Sequence, residues 1–368
     1  MNILIAGFLA FILSFTSTPF VIRFANKFGL IDNPKRPHPA IIHKKPIPRA
    51  GGLAPFIGFS VSVILVVLLS NSLTFTKPLV GILIASTLLV LVGLADDKYD
   101  LNPYLRLFAN FVVVAVVVGF GIGISSITNP FGGQFRLDTI VYAFSLPNYF
   151  GFFAGHHSIV LLADLIAFFW IIWIMNALNW SSGVDGQLTG IVSIALLILG
   201  VVTVGLVKTD SNQTFTAVLA FAAAGSFLGF LPWSFYPQKI MPGYGGATLA
   251  GFLIAVLAII SGAKLATVLL VLLVPLVDSV WAVVRRIANK RSPVWGDSYH
   301  LHHQLLKLGL SVPQICFIYY GAGLSLGILG LSLDGQEKFF AIAIISVLLF
   351  SLLFTSFFIV KRLSLKNV

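Results

Sequence analysis

PLVGILIASTLLVLV (78–92), followed at once by Gly93-Leu94-Ala95-Asp96-Asp97-Lys98-Tyr99-Asp100, decides what kind of protein this is. The first part is long and apolar enough for a helix through a lipid bilayer, which takes roughly 20 residues at 1.5 Å each. The second part places three of the chain's 12 acidic residues within five positions, at the mouth of that helix. Adjacent carboxylates at a membrane boundary are costly unless a cation or a positively charged group sits with them. The stretch therefore reads as a transmembrane helix that delivers a divalent-metal and phosphate site to the water. A solvated helix cap is the plain alternative.

The rest of the chain fits a membrane setting. Hydrophobic residues make up 58% and charged residues 10% of the 368 positions, and the mean hydropathy is +1.00, which excludes an ordinary soluble domain. Strand-length alternation is missing, so helices are the expected spanning form. We expect an all-α polytopic membrane protein with about eleven spans, near 3–22, 52–70, 78–94, 107–126, 158–176, 188–207, 214–232, 247–262, 264–283, 314–333 and 339–360. It forms a single integral-membrane domain over 1–368, with its motifs between about 32 and 309. The start of the chain has no basic segment of the cleaved-signal type, so 3–22 counts as the first span. Cys316 falls in a span and has no second cysteine to pair with; it reads as a small core residue.

Charge orients the spans. Of the 23 Lys and Arg, all but Lys77, Arg136, Lys208, Lys264 and Lys338 fall in one set of loops. By the positive-inside rule that set is cytoplasmic. The N-terminus is then outside, the C-terminus inside, and the location the inner cell membrane. The net charge of +11 is thereby assigned to topology and anionic lipid headgroups. Nucleic acid is not an expected partner, because the cations sit on short loops between spans. Asp32, Asp96, Asp97, Asp100, Asp185, Asp278 and Asp297 fall on the same side, whereas Asp138, Asp210, Asp334 and Glu337 fall on the other. Acids, bases and histidines crowded on one face suit an anionic substrate held with a metal.

Five stretches on that face carry the chemistry. The first loop runs from Asp32 through Arg36 and His38 to His43-Lys44-Lys45-Pro46-Ile47-Pro48-Arg49-Ala50-Gly51-Gly52. Its prolines deny it a helix, and its cations lie at headgroup level. Asp96, Asp97 and Asp100 are followed by Arg106, and one or two carboxylates completed by substrate phosphates is the usual way of holding Mg²⁺. Asn176 and Asn179 share a helix face by their spacing, ahead of Ser182, Gly183, Asp185 and Gly186. Met241-Pro242-Gly243-Tyr244-Gly245-Gly246 opens the eighth span, and a glycine-rich turn at a helix start cradles phosphates. Finally, Asp278 leads to Arg285, Arg286, Arg291, Asp297 and His300-Leu301-His302-His303. Without cysteines, and among so many cations, these histidines suit phosphate or sugar oxygens better than zinc. Two features stand apart: His156-His157 in a long outer loop, and Asp164 alone within a span, which reads as a buried contact between helices.

In this order the segments resemble the polyprenyl-phosphate N-acetylhexosamine-1-phosphate transferases, and the HLHH loop looks like the bacterial branch that uses UDP-N-acetylglucosamine. The resemblance rests on the PxPRxGG-like entry (46–52), the DDxxD-like acids, the NxxNxxxGxDG-like stretch and the HLHH loop. It implies transfer of a sugar 1-phosphate from a UDP-sugar donor to a polyprenyl phosphate acceptor in the membrane lipid, with release of UMP. It implies Asp96, Asp97 and Asp185 as catalytic and metal-binding groups for Mg²⁺, with Mn²⁺ as a substitute. Arg106, Asn179, Arg291, His300, His302 and His303 are implied to bind substrates. Arg49, a cation at headgroup level beside the glycines, and Asn176, on the Asn179 face, join them as candidates from the residues themselves. A homodimer is compatible with it. The chain departs from the family pattern twice: Ser182 stands where a second Asp is usual, and Tyr244 stands at the Asp of the F-M-G-D-x-G-like turn, which the family uses as a metal ligand. That second departure supports an alternative, a non-catalytic relative that binds a nucleotide-sugar or lipid phosphate. A transporter is the third reading, favoured only by Asp164.

Overall fold

The computed structural model describes residues 2–35, 43–70, 73–146, 155–262 and 264–366, of which 146, 155–157 and 358–366 by backbone alone. Arg36 and His38, and the side chains of His156 and His157, lie outside what is described. Helices α1 (Asn2–Phe28), α2 (Leu53–Leu69), α3 (Lys77–Tyr99) and α4 (Pro103–Gly119) are followed by α5 (Leu161–Trp180), α6 (Gln187–Leu206), α7 (Gln213–Ser234) and α8 (Gly243–Ile260). Then come α9 (Leu265–Val271), α10 (Leu273–Ala288), α11 (Leu301–Lys307), α12 (Val312–Ser332) and α13 (Gly335–Lys366).

Among the described residues, eight helices are long and apolar enough to cross a membrane, and α9 with α10 makes a ninth, broken span bent by 82°. The sequence reading of about eleven spans also included α2 and α4, which are apolar but only 17 residues long. Every expected span has a helix, but not always with the expected limits. The sequence predicts the fourth over 107–126, whereas α4 starts at Pro103 and stops at Gly119. Asn102 accepts a hydrogen bond from Tyr104 N (2.9 Å) and Pro103 fits the first turn. Gly121, with φ of 92°, then turns the chain out of the helix. The break between α9 and α10 comes just ahead of Pro275, which lacks the N–H needed to continue a helix.

Three short antiparallel ribbons were not expected from the sequence. Strands β1 (Ile31–Asp32) and β2 (Ile47–Pro48) pair near the functional end of the bundle. At the opposite end, β3 (Ser126–Thr128) pairs with β4 (Gln134–Arg136), and β5 (Val141–Leu146) with β6 (Gly155–Val160). Asp164 belongs to this opposite end. It accepts from Val160 N (2.9 Å) in the first turn of α5, so it caps its own helix rather than bridging two helices.

The interior is an apolar cluster of small and branched side chains, with α8 almost wholly enclosed. Two close approaches place the site. Gly93 of α3 lies against Gly245 of α8, where a Cβ would come within 2.2 Å of the Gly245 Cα. One helical turn later on the same face of α3 is Asp97, which this contact brings to the first turn of α8. The segment 48–52 is tied to 241–242 by Met241 N to Pro48 O (2.8 Å), Gly51 N to Met241 O (3.0 Å) and Gly52 N to Pro242 O (2.8 Å). Motifs nearly two hundred residues apart therefore share one stretch of backbone pairing.

Candidate active site

Side chains from the segments singled out in the sequence meet at one end of the bundle, around a cavity of about 710 Å³. Asp96, Arg49, Arg106, Asn176, Asn179, Asp185, His300, His302 and His303 all line it, together with Asp32, His43, Trp180 and Trp295. Two expected residues do not. Asp97 is buried one layer behind the wall. Arg291 is exposed and lines a neighbouring cavity instead: α10 ends at Ala288, and the following turn carries Arg291 away from the hollow.

The acid wall is built on α3, α8 and the 49–52 turn. Asp97 accepts from Ala50 N (2.9 Å) and Tyr244 N (3.2 Å) and pairs with Arg49 Nε (3.1 Å). Its carboxylate faces the start of α8, where the helix dipole favours an anion. Gly243 is glycine for the same reason, since its φ is 68° and a Cβ there would meet Asp97 Oδ2 at 2.2 Å. Ala50 holds a left-handed φ of 71°, a strain of about 1–3 kcal/mol that the bond to Asp97 offsets.

Asp96 is placed differently. Its Oδ1 accepts from Leu101 N (3.1 Å) and pairs with Arg106, which also binds Asp100 Oδ1 at 2.8 Å. The left-handed Asp100 (φ 51°) ends α3 and lets α4 return Arg106 to this position. Asp96 Oδ2 is buried without a hydrogen-bond partner, and Arg49 Nη2 stands 3.8 Å away.

Asp185 lies on the turn between α5 and α6. Gln238 donates to it from its backbone N (3.2 Å) and from Nε2 (2.6 Å). The turn itself is held by the Cys316 thiol on Asp185 O (3.0 Å) and the Tyr320 hydroxyl on Gly186 O (2.6 Å). Burial raises the Asp185 carboxyl above its ordinary range, and the Gln238 bonds only partly oppose this. Asn176 spends its amide on Ile172 O (2.8 Å).

The histidine wall is a relay of paired charges. Arg285 and Arg286 clamp the two oxygens of Asp297, each at 2.7 Å. Burial pushes Asp297 up, but the Arg286 bond and its other partners prevail and hold the carboxyl at about 2. Arg286 also reaches His300 Nε2 (3.3 Å) and lies over the Trp180 ring. An arginine can only donate, so His300 carries its proton on Nδ1 and gives it to Asp278 Oδ2 (2.8 Å).

His302 stacks on His300 and touches His303. Both its ring nitrogens are buried and unpartnered among the described residues. Burial drives its pKa well below the usual histidine value, and burial with the nearby His300 brings His303 down to about 4. Gly183 makes room for this ring: a Cβ there would fall 1.8 Å from His302 Nε2.

The three carboxylates expected to hold a metal do not form one ligand set. Among the described residues, no group of three or more His, Cys, Asp or Glu surrounds a common point. Asp97 and Asp185 spend their oxygens on protein donors, and Tyr244 sends its hydroxyl to Asn110 Oδ1 (3.1 Å) and Arg106 O (3.3 Å). Of these three carboxylates, the oxygen left without a hydrogen bond is Asp96 Oδ2, with Arg49 Nη2 3.8 Å away. A single carboxylate oxygen fits Mg²⁺ in the mode where substrate phosphates and waters complete the shell. Gln238, Asn110, Tyr320 and the role of Asp278 were not read from the sequence, and no local pattern marks them.

A family model described as glycosyl transferase family 4 matches residues 79–262, half of the chain. Among curated relatives, the Bacillus subtilis protein named probable undecaprenyl-phosphate N-acetylglucosaminyl 1-phosphate transferase is 28% identical over 95% of this chain and 90% of its own length. The decaprenyl-phosphate N-acetylglucosaminephosphotransferase of Mycolicibacterium smegmatis is 29% identical over 86% of this chain and 78% of its own. The undecaprenyl-phosphate alpha-N-acetylglucosaminyl 1-phosphate transferase of Escherichia coli is 25% identical over 80% and 74%.

Proposed function

The chain belongs to glycosyl transferase family 4, and we propose that it moves N-acetylglucosamine 1-phosphate from UDP-N-acetylglucosamine onto a polyprenyl phosphate. An oxygen of the acceptor phosphate bonds the sugar-linked phosphorus, the diphosphate bridge breaks, and UMP leaves. Undecaprenyl phosphate is the acceptor we favour, at the cytoplasmic face of the inner membrane, as the first step of a cell-envelope glycan. The observation that carries this reading is the single hollow at the end of the membrane helices, into which the acid and histidine walls both open.

Two anionic phosphorus centres must be brought together, and neutralising their charge is the main task. Arg49 and Arg106 face the hollow and serve that task directly. A neutral His302 ring offers one N–H to a sugar or phosphate oxygen and its other nitrogen to a sugar hydroxyl, and Asn179 borders the same space. Mg²⁺, with Mn²⁺ as a substitute, would be held by Asp96 Oδ2 with the substrate phosphates, and would add charge neutralisation there. The relatives' names support donor and acceptor, and the Lys and Arg distribution supports the cytoplasmic face.

Purified protein given UDP-N-acetylglucosamine, Mg²⁺ and undecaprenyl phosphate is expected to release UMP, and Asp96→Asn to stop it. Absence of turnover with every UDP-N-acetylhexosamine would contradict the proposal. Tyr244 favours a second reading, a relative that binds the same ligands without turnover. Mg²⁺-dependent donor binding with no UMP released would select it.

A further inference from the structure

We propose that a second cavity, beside the hollow and sharing one wall with it, is a binding site for a phosphate group, fitted to the headgroup of an anionic lipid. The inference rests on the membrane setting and on side-chain geometry, not on the transferase reading. This cavity measures about 460 Å³ and lies between the end of α10, the 291–299 segment, α11 and α13. It is where the structure puts Arg291, which the hollow leaves unused.

The charges decide its chemistry. Arg285, Arg286, Arg291 and Lys307 border the cavity, against one acid, Asp297. That acid is already spent on Arg285 and Arg286. Arg291 and Lys307 have no acidic partner among the described residues; Lys307 Nζ instead rests 5.2 Å from the Tyr299 ring. Cations retained only to orient a membrane protein need no enclosing walls, whereas these two border a bounded space whose neutral polar groups are already engaged, Gln304 Nε2 on Tyr299 O (2.9 Å) and Ser292 with the Tyr104 hydroxyl (3.0 Å). A guanidinium and an ammonium without an acid, facing one enclosed space, suit a phosphate.

The remaining walls suit a lipid. Trp295 and Tyr299 are 55% and 42% exposed, and aromatic residues of this kind settle at headgroup depth. Phe357 closes one side from α13, a helix whose spanning part is only 6% buried within the protein and so faces the bilayer. Basic pockets between membrane helices are recurrent sites for anionic headgroups. The site is also coupled to the hollow. Arg286, Trp295 and Asp297 border both cavities, and a phosphate competing with Asp297 for Arg285 would loosen the clamp that fixes Arg286 on His300.

The test uses full-length protein in nanodiscs of neutral lipid, with and without phosphatidylglycerol, and native mass spectrometry to count retained lipid. Arg291→Gln with Lys307→Gln is compared with Arg23→Gln with Lys27→Gln, which removes the same charge from exposed positions on α1 outside the cavity lining. Melting temperatures confirm that both pairs fold. Retention of phosphatidylglycerol is expected to fall about tenfold in the first pair, roughly 1.4 kcal/mol, and to be unchanged in the second. A parallel arm in neutral lipid follows Trp295 fluorescence with inorganic pyrophosphate, using Trp295→Phe as the blank. Pyrophosphate binding lost only in the cavity pair, without lipid retention, would keep the phosphate site but make its source soluble. Equal behaviour of both pairs in both arms would overturn the proposal.

Discussion

The two walls of the hollow solve the same electrostatic problem in different ways. On the acid wall, adjacent carboxylates divide the labour: Asp97 is saturated by two backbone N–H groups and Arg49, while Asp96 keeps one oxygen without a hydrogen bond, Arg49 Nη2 standing 3.8 Å off. On the histidine wall the acids are saturated, Asp278 by His300 and Leu301 N and Asp297 by two arginines. The groups left open there are the ring nitrogens of His302. Each wall thus ties down most of its scaffold and leaves buried polar atoms without a hydrogen bond, Asp96 Oδ2 on one side and the His302 ring nitrogens on the other. In a folded protein such groups are costly, about 1–3 kcal/mol each, so an unpartnered group facing a cavity marks where a ligand completes the structure.

This contrast can be broken by substitutions that separate scaffold from ligand-facing groups. The largest stability loss is expected from Asp297→Ala, which leaves two buried guanidinium groups without their acid, at a cost of about 3–5 kcal/mol. Thermal unfolding in detergent measures it, and a change below about 1 kcal/mol would mean that the clamp contributes little beyond an exposed ion pair. Asp97→Asn should follow. It removes the charge facing Arg49 and the start of α8, lowering stability by about 2–3 kcal/mol as well as activity. A variant of unchanged stability would place Asp97 with the ligand-facing groups instead.

Acidity tests the histidine wall. His302 and His303 are held below the usual value near 6.5, His303 at about 4. The unfolded chain therefore binds protons that the folded one refuses, and stability falls as pH drops from about 6.5 towards 4. Melting temperature measured over that interval should decline, and His302→Gln should flatten the decline. Tyr244→Phe should have the smallest effect. It removes a hydroxyl bonded to Asn110 and costs about 1 kcal/mol, with the Arg106 contact to the ring retained. A much larger loss of turnover than of stability would assign that hydroxyl a part in the chemistry.

The sequence disclosed the membrane class, the grouping of polar residues on one face and most of the hollow's lining. These features are local: apolar runs, adjacent acids and clustered histidines. Two kinds of information were not local. The partners of the motif residues lie far along the chain, as with Gln238 on Asp185 or Tyr320 on Gly186, and nothing in the intervening sequence links them. Depth was equally hidden. Asp96 and Asp97 are neighbours, yet the 100° between successive helical positions puts one on the cavity and the other behind it. Arg291 was misplaced for a related reason, since a turn after α10, not the distance from His300, sets where it points.

The most direct test of the account is a double-mutant cycle on turnover with Asp96→Asn and His302→Ala. If both walls hold one substrate pair, each single change is expected to cost about 10²-fold or more, and the double change little beyond the worse single one. Effects that simply multiply would show that the two walls act on separate ligands, and would contradict the shared hollow as the site of reaction.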